Sequence, residues 1–201
     1  MTSTVAIVNN ALNLIGASNI TDLGEASKTA RVMNQMYENV RDDVFRAHPW
    51  NCLIRRATLA QSVDTPAFDY AYQYALPTDP YCLRVLEFQN GSMTYPYENL
   101  VGQGNKPFFV IEGRNILTDS GTARIKYIAR ITDPSQYDAG LISVLAARLA
   151  SEAAYAITGS TSVVQLADAL YERKLREARF SDATENGTMK LESSDFIEAR
   201  F

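Results

Sequence analysis

The chain has 201 residues, 46% of them hydrophobic and 21% charged, a composition typical of a folded protein with one domain or a compact pair of subdomains. Its net charge of −4 argues against a dedicated nucleic-acid-binding protein, which is usually basic. The N-terminal residues lack a basic start and carry asparagines within their apolar run. We therefore predict neither a signal peptide nor a membrane span there.

Two helices are predicted in the first quarter of the chain. The first runs from about Thr4 to Ile15 and ends at Gly16, a natural C-cap. The second follows Ser27 as its N-cap and ends before Pro49, because proline disfavours helical backbone at the preceding residue. Apolar positions recur at steps of three and four, and charged residues form the opposite face. The apolar face comprises Met33, Met36, Tyr37, Val40, Val44 and His48, and the wet face Glu38, Arg41, Asp42 and Asp43.

Trp50 is the only tryptophan in the chain and lies between the second helix and an extended run. That run begins with Cys52, Ile54 and Ala57 and closes near Gln61. A tryptophan side chain buries a large apolar area. We therefore predict that Trp50 is a core residue at the point where helix meets strand.

The middle third of the chain predicts β structure, since it is rich in Tyr, Phe, Val and Ile with turn residues at short intervals. Asn90-Gly91 is typical of a type I′ hairpin turn. A second hairpin turns at Gly113 to Asn115. The predicted strands are Leu83 to Gln89, Met93 to Tyr97, Phe108 to Ile111, Ile116 to Thr118 and Ala123 to Ile131.

A helical pattern returns at Asp133. Asp133 as N-cap, Pro134 at the first helical position and Gln136 three residues after the cap predict the start of a third helix. This helix runs to about Thr158 and is stopped by Gly159. A fourth helix, from Ser160 or Ser162 to about Ser181, completes an αα-hairpin. Its predicted inward residues are Leu166, Leu170 and Leu175.

These elements together predict an α+β fold. An antiparallel-type four-helix part comprises 1–61 and 133–181, and a β-hairpin or small β-sheet domain is inserted at 62–132. Residues 182–201 are polar and of mixed charge, which predicts an extended, flexible C-terminal arm. The arm nevertheless ends in Phe196, Ile197 and Phe201, apolar residues for which a tail without a partner has no use.

The sequence offers little for catalysis, and we predict no catalytic residue, cofactor or metal site. His48 is the only histidine, and a capping or packing role is favoured for it. A Cys-based hydrolase that pairs His48 with Cys52 remains an alternative. Zinc needs several His or Cys ligands at defined spacings. Cys52 and Cys82 are predicted to be free thiols, and the Gly102 to Pro107 run is predicted to be a flexible loop rather than a phosphate loop.

Two charged residues lie within the apolar sequence of the predicted third helix. Arg148 and Glu152 are four residues apart in an otherwise apolar, alanine-rich run. They form either an intrahelical ion pair or a subunit contact, because charges in such a stripe need partners. The basic clusters, Arg55-Arg56 and the run from Arg173 to Arg179, are interpreted as solvated faces rather than a DNA site.

Five segments follow one another in a characteristic order and spacing: ALNLIGASNITDL, YENVRDDVFRAHPWN, YQYALPTDPYCLRVLEF, FFVIEGRNILTD and IKYIARITDPSQYDAGLISVLAARLASEAAYAITGS. In this order and spacing the chain resembles the tail tubular protein A family, the head-to-tail adaptor proteins of tailed bacteriophages. The resemblance covers roughly Val5 to Arg179.

The resemblance implies a structural virion protein at the head–tail junction, assembled in the host cytoplasm. Its partners would be further copies in a dodecameric ring, the portal protein, and the tail nozzle or tail tube. Double-stranded DNA would pass through the ring without sequence-specific binding. The helices would form the ring wall with Arg148 and Glu152 at subunit contacts, and Phe196, Ile197 and Phe201 would dock on the portal. The alternative is a phage accessory DNA-binding protein, whose binding would depend on salt.

Overall fold

A computed structural model of the protein describes residues 2–90, 93–96 and 107–185. The fold is mixed α+β, and within these ranges it comprises four α-helices and seven β-strands. The helices are α1 (Thr4–Leu14), α2 (Lys28–Ala47), α3 (Ala139–Thr158) and α4 (Thr161–Glu185). The strands are β1 (Ile54–Thr58), β2 (Tyr72–Ala75), β3 (Cys82–Asn90), β4 (Met93–Pro96), β5 (Phe109–Glu112), β6 (Asn115–Thr118) and β7 (Arg124–Ala129).

The first two helices begin and end close to their predicted positions. The side chain of Ser27 accepts a hydrogen bond of 3.1 Å from the Ala30 N–H, so it is the N-cap of α2. At the other end, His48 has extended backbone and Pro49 follows. One prediction for α2 is wrong. Arg41 does not lie on a wet face; it is 5% exposed and pairs with Asp42 at 2.9 Å. Asp42 balances this charge and also pairs with Arg130.

The third helix begins later than predicted. Its N-cap is Asp138, which accepts a hydrogen bond from the Leu141 N–H. Asp133 instead caps a short 3₁₀ turn, since its side chain accepts from the Ser135 N–H at 2.9 Å. The buried Tyr137 has extended backbone between the two elements, and this interrupts the helix that the sequence predicted to be continuous.

The fourth helix differs from prediction in its length and in its buried face. It continues past Ser181 to Glu185, so residues 182–185, assigned to the arm, are helical. Leu166 was predicted to face inward but is 68% exposed. The buried positions include Ala167, Leu175 and Ala178, because small side chains let α4 approach α3 closely. Residues 186–201 of the arm lie outside the described ranges.

Helix α3 is the centre of the helical core, and it packs against α1, α2 and α4. Most of its alanines and leucines are buried. By length and composition this helix could cross a membrane, but more than half of its apolar window is buried inside the protein, as expected for a core helix.

The strands form two antiparallel sheets. The larger has the order β1-β7-β3-β4 and the smaller β2-β6-β5. The β5–β6 hairpin turns at Gly113, whose φ of 56° suits glycine, as the sequence predicted. Asn90, predicted to open a turn, is the last residue of β3 and pairs with Met93, whereas Gly91 lies outside the described residues. Helix α2 leads through Trp50 into β1, so the helical core and the larger sheet meet at the C-terminal end of α2.

Candidate functional site

Carbonyls at the C-terminal end of α2 accept hydrogen bonds from one nearby side chain, Trp50, and from one distant side chain, Arg179. The last carbonyls of a helix have no partner within the helix and must be satisfied elsewhere. The Trp50 indole N–H donates to the carbonyl of Val44 at 2.9 Å. The Arg179 guanidinium, from α4, donates to the carbonyl of Ala47 at 2.8 Å. Positive side chains at this end also complement the helix dipole.

Asp182 joins α4 to the C-terminal end of α2 and to the residues that follow it, a junction that we call the α2–α4 corner. One carboxylate oxygen lies 2.9 Å from His48 Nε2, and the other accepts the backbone N–H of Asn51 at 3.0 Å. The Asn51 side chain in turn donates to the Asp182 carbonyl at 2.8 Å. Asp182 is 5% exposed, so this carboxylate is a buried group with its hydrogen bonds satisfied inside the protein.

Trp50 and His48 form the apolar side of this junction. The sequence predicted a core position for Trp50, and its side chain is fully buried. The imidazole of His48 meets the indole edge to face, with ring centroids 4.8 Å apart. His48 therefore packs and hydrogen-bonds at the end of α2, which is the role that the sequence favoured. The sequence did not indicate Asp182 as its partner, because 134 positions separate the two residues.

The thiol chemistry at this corner is unfavourable for nucleophilic catalysis. Burial raises the pKa of Cys52 to about 11, so its thiol is neutral near pH 7 and weakly nucleophilic. Its Sγ lies 3.8 Å from a carboxylate oxygen of Asp138, and the described hydrogen bond of His48 goes to Asp182 instead. Burial also raises the pKa of Cys82 to about 11. Both cysteines are free thiols.

No cluster of His, Cys, Asp and Glu suited to a metal ion occurs among the residues that the structure describes. The phosphate-loop candidate at Gly102 lies outside those residues, apart from Pro107.

Arg148 and Glu152 form an ion pair along α3. The Arg148 guanidinium also lies 5.1 Å from the centroid of the Tyr171 ring on α4. Both charged side chains are partly exposed. Within one subunit the geometry is that of the intrahelical pair, and the subunit contact stays a prediction.

Apolar side chains are exposed on the helical surface. Leu166 is 68% and Phe180 74% exposed on α4, and Leu14 at the end of α1 is also exposed. Leu14 and Leu166 line a shallow cavity of about 260 Å³, which we call the α1–α4 groove. Its other lining residues are Ala167, Ala169, Leu170 and Arg173. The sequence did not predict this surface, because the apolar periodicity of α4 assigned Leu166 to the buried face.

The residues predicted to dock on the portal, Phe196, Ile197 and Phe201, lie outside the described ranges. No protein-family model matches the chain, and no curated protein matches its sequence. The role of the protein is therefore inferred from its own residues and from the order of its segments.

Proposed function

We propose that the protein is a structural virion protein, a head-to-tail adaptor that forms a dodecameric ring between portal and tail. Its four helices form the wall of the ring, and the inserted β-sheet region contacts the tail nozzle or tail tube. The arm at 186–201 reaches the portal through Phe196, Ile197 and Phe201. The protein is not an enzyme in this proposal, and DNA passes through the ring without sequence-specific contacts.

The observation that carries the proposal is the α1–α4 groove together with the exposed apolar residues of α4. Monomeric proteins rarely expose large apolar side chains in groups, and such groups mark contact surfaces. Leu166, which is 68% exposed, lines the groove with Leu14 and Leu170, and Phe180 is a separate exposed apolar side chain further along α4. A closed ring uses two different surfaces of each subunit in repeated contacts, and the α1–α4 groove suits one of them. The order of the segments, which resembles the tail tubular protein A family, is independent support.

The direct test is imaging of the purified protein mixed with its portal, together with a mass measurement of the complex. We expect one ring per portal. The variant Leu166→Asp places a charge on the groove and should abolish ring formation. Gln165→Asp is the matched control, because it adds the same charge at the neighbouring exposed position. One or two copies per portal, or a ring that tolerates Leu166→Asp as well as Gln165→Asp, would contradict the proposal.

One observation favours the accessory DNA-binding alternative. Arg56 and Lys126 lie directly opposite each other on β1 and β7, and Arg124 lines the same shallow surface. Glu87 belongs to this surface too and pairs with Lys126 at 2.8 Å, so Arg56 and Arg124 are the basic side chains that the alternative depends on. Basic side chains grouped on one face can neutralise DNA phosphates. The alternative predicts that the protein binds a DNA duplex, that this binding weakens steeply with salt, and that the double variant Arg56→Gln/Arg124→Gln loses it. The adaptor proposal predicts instead that this double variant still assembles on the portal.

A further inference from the structure

A cleft lies between the two sheets, on the side of the molecule where α2 ends. Its lining comes from the end of α2, the start of β3 and the β5–β6 turn, and its volume is about 420 Å³. Arg46, Arg84 and Arg114 line it, one from each of these elements. Among the described residues that line it, none is acidic. We call this feature the arginine cleft.

A β-bulge shapes the floor of the arginine cleft. Cys82 pairs with Ala129 and Arg84 pairs with Ile128, so Leu83 is an extra residue in β3. A bulge leaves backbone groups outside the ladder and redirects side chains. The freed carbonyl of Leu83 accepts a hydrogen bond from Arg46. The sequence around β3 predicted a strand but gave no sign of this bulge.

Arg114 is held in place from several directions. Its guanidinium donates to the carbonyl of Cys82 at 2.7 Å and to that of Pro77 at 2.6 Å. It also stacks on the ring of Tyr81, 3.9 Å from the centroid. Its orientation is therefore fixed before any ligand arrives, which reduces the entropy lost on binding.

The charges of the arginine cleft are not balanced. Within residues 2–90, 93–96 and 107–185, Arg46, Arg84 and Arg114 form no ion pair with Asp or Glu, whereas Arg41 and Arg148 do. The described hydrogen bond of the Arg84 side chain is a long one, 3.4 Å to the carbonyl of Arg46. Arginine has five N–H donors, so most donors of Arg84 remain available to a ligand.

We propose that the arginine cleft binds a small phosphate-class oxyanion, either inorganic phosphate or a phosphate monoester. Planar guanidinium groups bind such anions through paired charge-assisted hydrogen bonds. The buried side chains of Leu76 and Val85 form part of the wall of the cleft. They limit the access of water to the guanidinium groups and so strengthen the hydrogen bonds between these groups and an anion. The site is independent of the adaptor proposal, since it needs neither a ring nor a portal.

The test is titration of the full-length protein with inorganic phosphate at constant ionic strength, with chloride as the reference, followed by calorimetry and by thermal melting. We expect saturable heat of binding and a melting temperature that rises with phosphate. Arg84→Gln should weaken binding about tenfold or more, the usual effect of losing a hydrogen bond to a charged group. This variant should fold, because Arg84 contributes one long hydrogen bond. Arg124→Gln, an exposed arginine of β7 outside the cleft, is the matched control.

Three outcomes would overturn the proposal. The first is an equal response to phosphate and chloride. The second is the same phosphate affinity in Arg84→Gln as in the wild type. The third comes from a parallel titration with a short DNA duplex. If the duplex binds in a manner that Arg84→Gln abolishes while inorganic phosphate has no effect, the phosphate group that the cleft recognises belongs to a nucleic-acid backbone and not to a small molecule.

Discussion

At the residue scale, Asp182 makes the clearest prediction for stability. Asp182→Ala removes the acceptor for His48 and for the Asn51 N–H, leaving buried polar groups without partners. We expect the free energy of unfolding to fall by about 2–3 kcal/mol, since each unsatisfied group costs about 1–3 kcal/mol. Urea denaturation measures this loss. Glu177→Ala, an exposed position on the same helix, should change stability by less than about 0.5 kcal/mol. Equal stability of the two variants would contradict a structural role for Asp182.

Trp50 supports a second prediction at this scale. Replacing a buried tryptophan by alanine costs about 3–5 kcal/mol, and here the Val44 carbonyl also loses its donor. We expect Trp50→Ala to be insoluble or to melt far below the wild type, as followed by circular dichroism. Trp50→Phe keeps most of the apolar volume and should retain a cooperative transition. Wild-type-like melting of Trp50→Ala would show that the indole does not support the core.

The two cysteines predict how stability changes at alkaline pH. Burial raises the pKa of Cys52 and of Cys82 from 9.0 to about 11. Below pH 9 both thiols are largely neutral in the folded and in the unfolded state. The stabilisation of the folded state that comes from burying the neutral thiols is therefore fully present. Between pH 9 and 11 the unfolded chain ionises first, and stability is lost. Denaturation series at pH 8 to 11 should show this fall, and Cys52→Ser/Cys82→Ser should make it shallower. Part of the fall should remain above pH 10 in this variant, because burial also raises the pKa of tyrosines such as Tyr127 and Tyr137. A slope that is unchanged in the double variant would contradict the prediction.

At the element scale, the turn between α3 and α4 depends on Gly159. Its φ is 67°, and its N–H caps α3 by donating to the Tyr155 carbonyl at 2.9 Å. A side chain in this left-handed region costs about 1 kcal/mol. Gly159→Ala should therefore lower the free energy of unfolding by about that amount. Gly121→Ala is the control, because a Cβ there meets open space at an ordinary φ, and it should leave the free energy of unfolding unchanged or raise it by up to about 1 kcal/mol.

Local sequence signals, such as helix caps and turn glycines, predict the ends of helices well. They fail where a residue's position depends on contacts with residues far away in the sequence. Ser27 and Gly159 act within a few residues of their own positions, so the start of α2 and the end of α3 could be predicted. Asp133 and Asp138 are both true caps, and the sequence could not show that buried Tyr137 separates two elements. Leu166 was misplaced because periodicity identifies an apolar face without saying which neighbour covers it. Asp182 and the bulge at Leu83 depend on contacts across the fold, which no local pattern contains.

At the scale of the whole molecule, the end of α4 separates the folded body from the predicted arm. A chain truncated after Glu185 keeps Arg179 and Asp182, so it should fold like the wild type yet dock poorly on the portal, because it lacks Phe196, Ile197 and Phe201. A chain truncated after Ser181 loses Asp182 and should be destabilised by about 2–3 kcal/mol. Thermal melting and co-sedimentation with portal rings measure the two effects. Undiminished docking of the longer truncation would show that the portal contact lies elsewhere.

The closure of α2 by α4 also constrains how the protein is made. The carbonyl of Ala47 has its hydrogen-bond donor, Arg179, 132 positions later in the chain. The backbone N–H of Asn51 has its acceptor, Asp182, 131 positions later. A ribosome adds about 5–20 residues per second, so the corner stays incomplete for several seconds after α2 has been synthesised. During this interval Trp50 lacks part of its final surroundings, and the nascent chain exposes apolar surface that the complete fold buries.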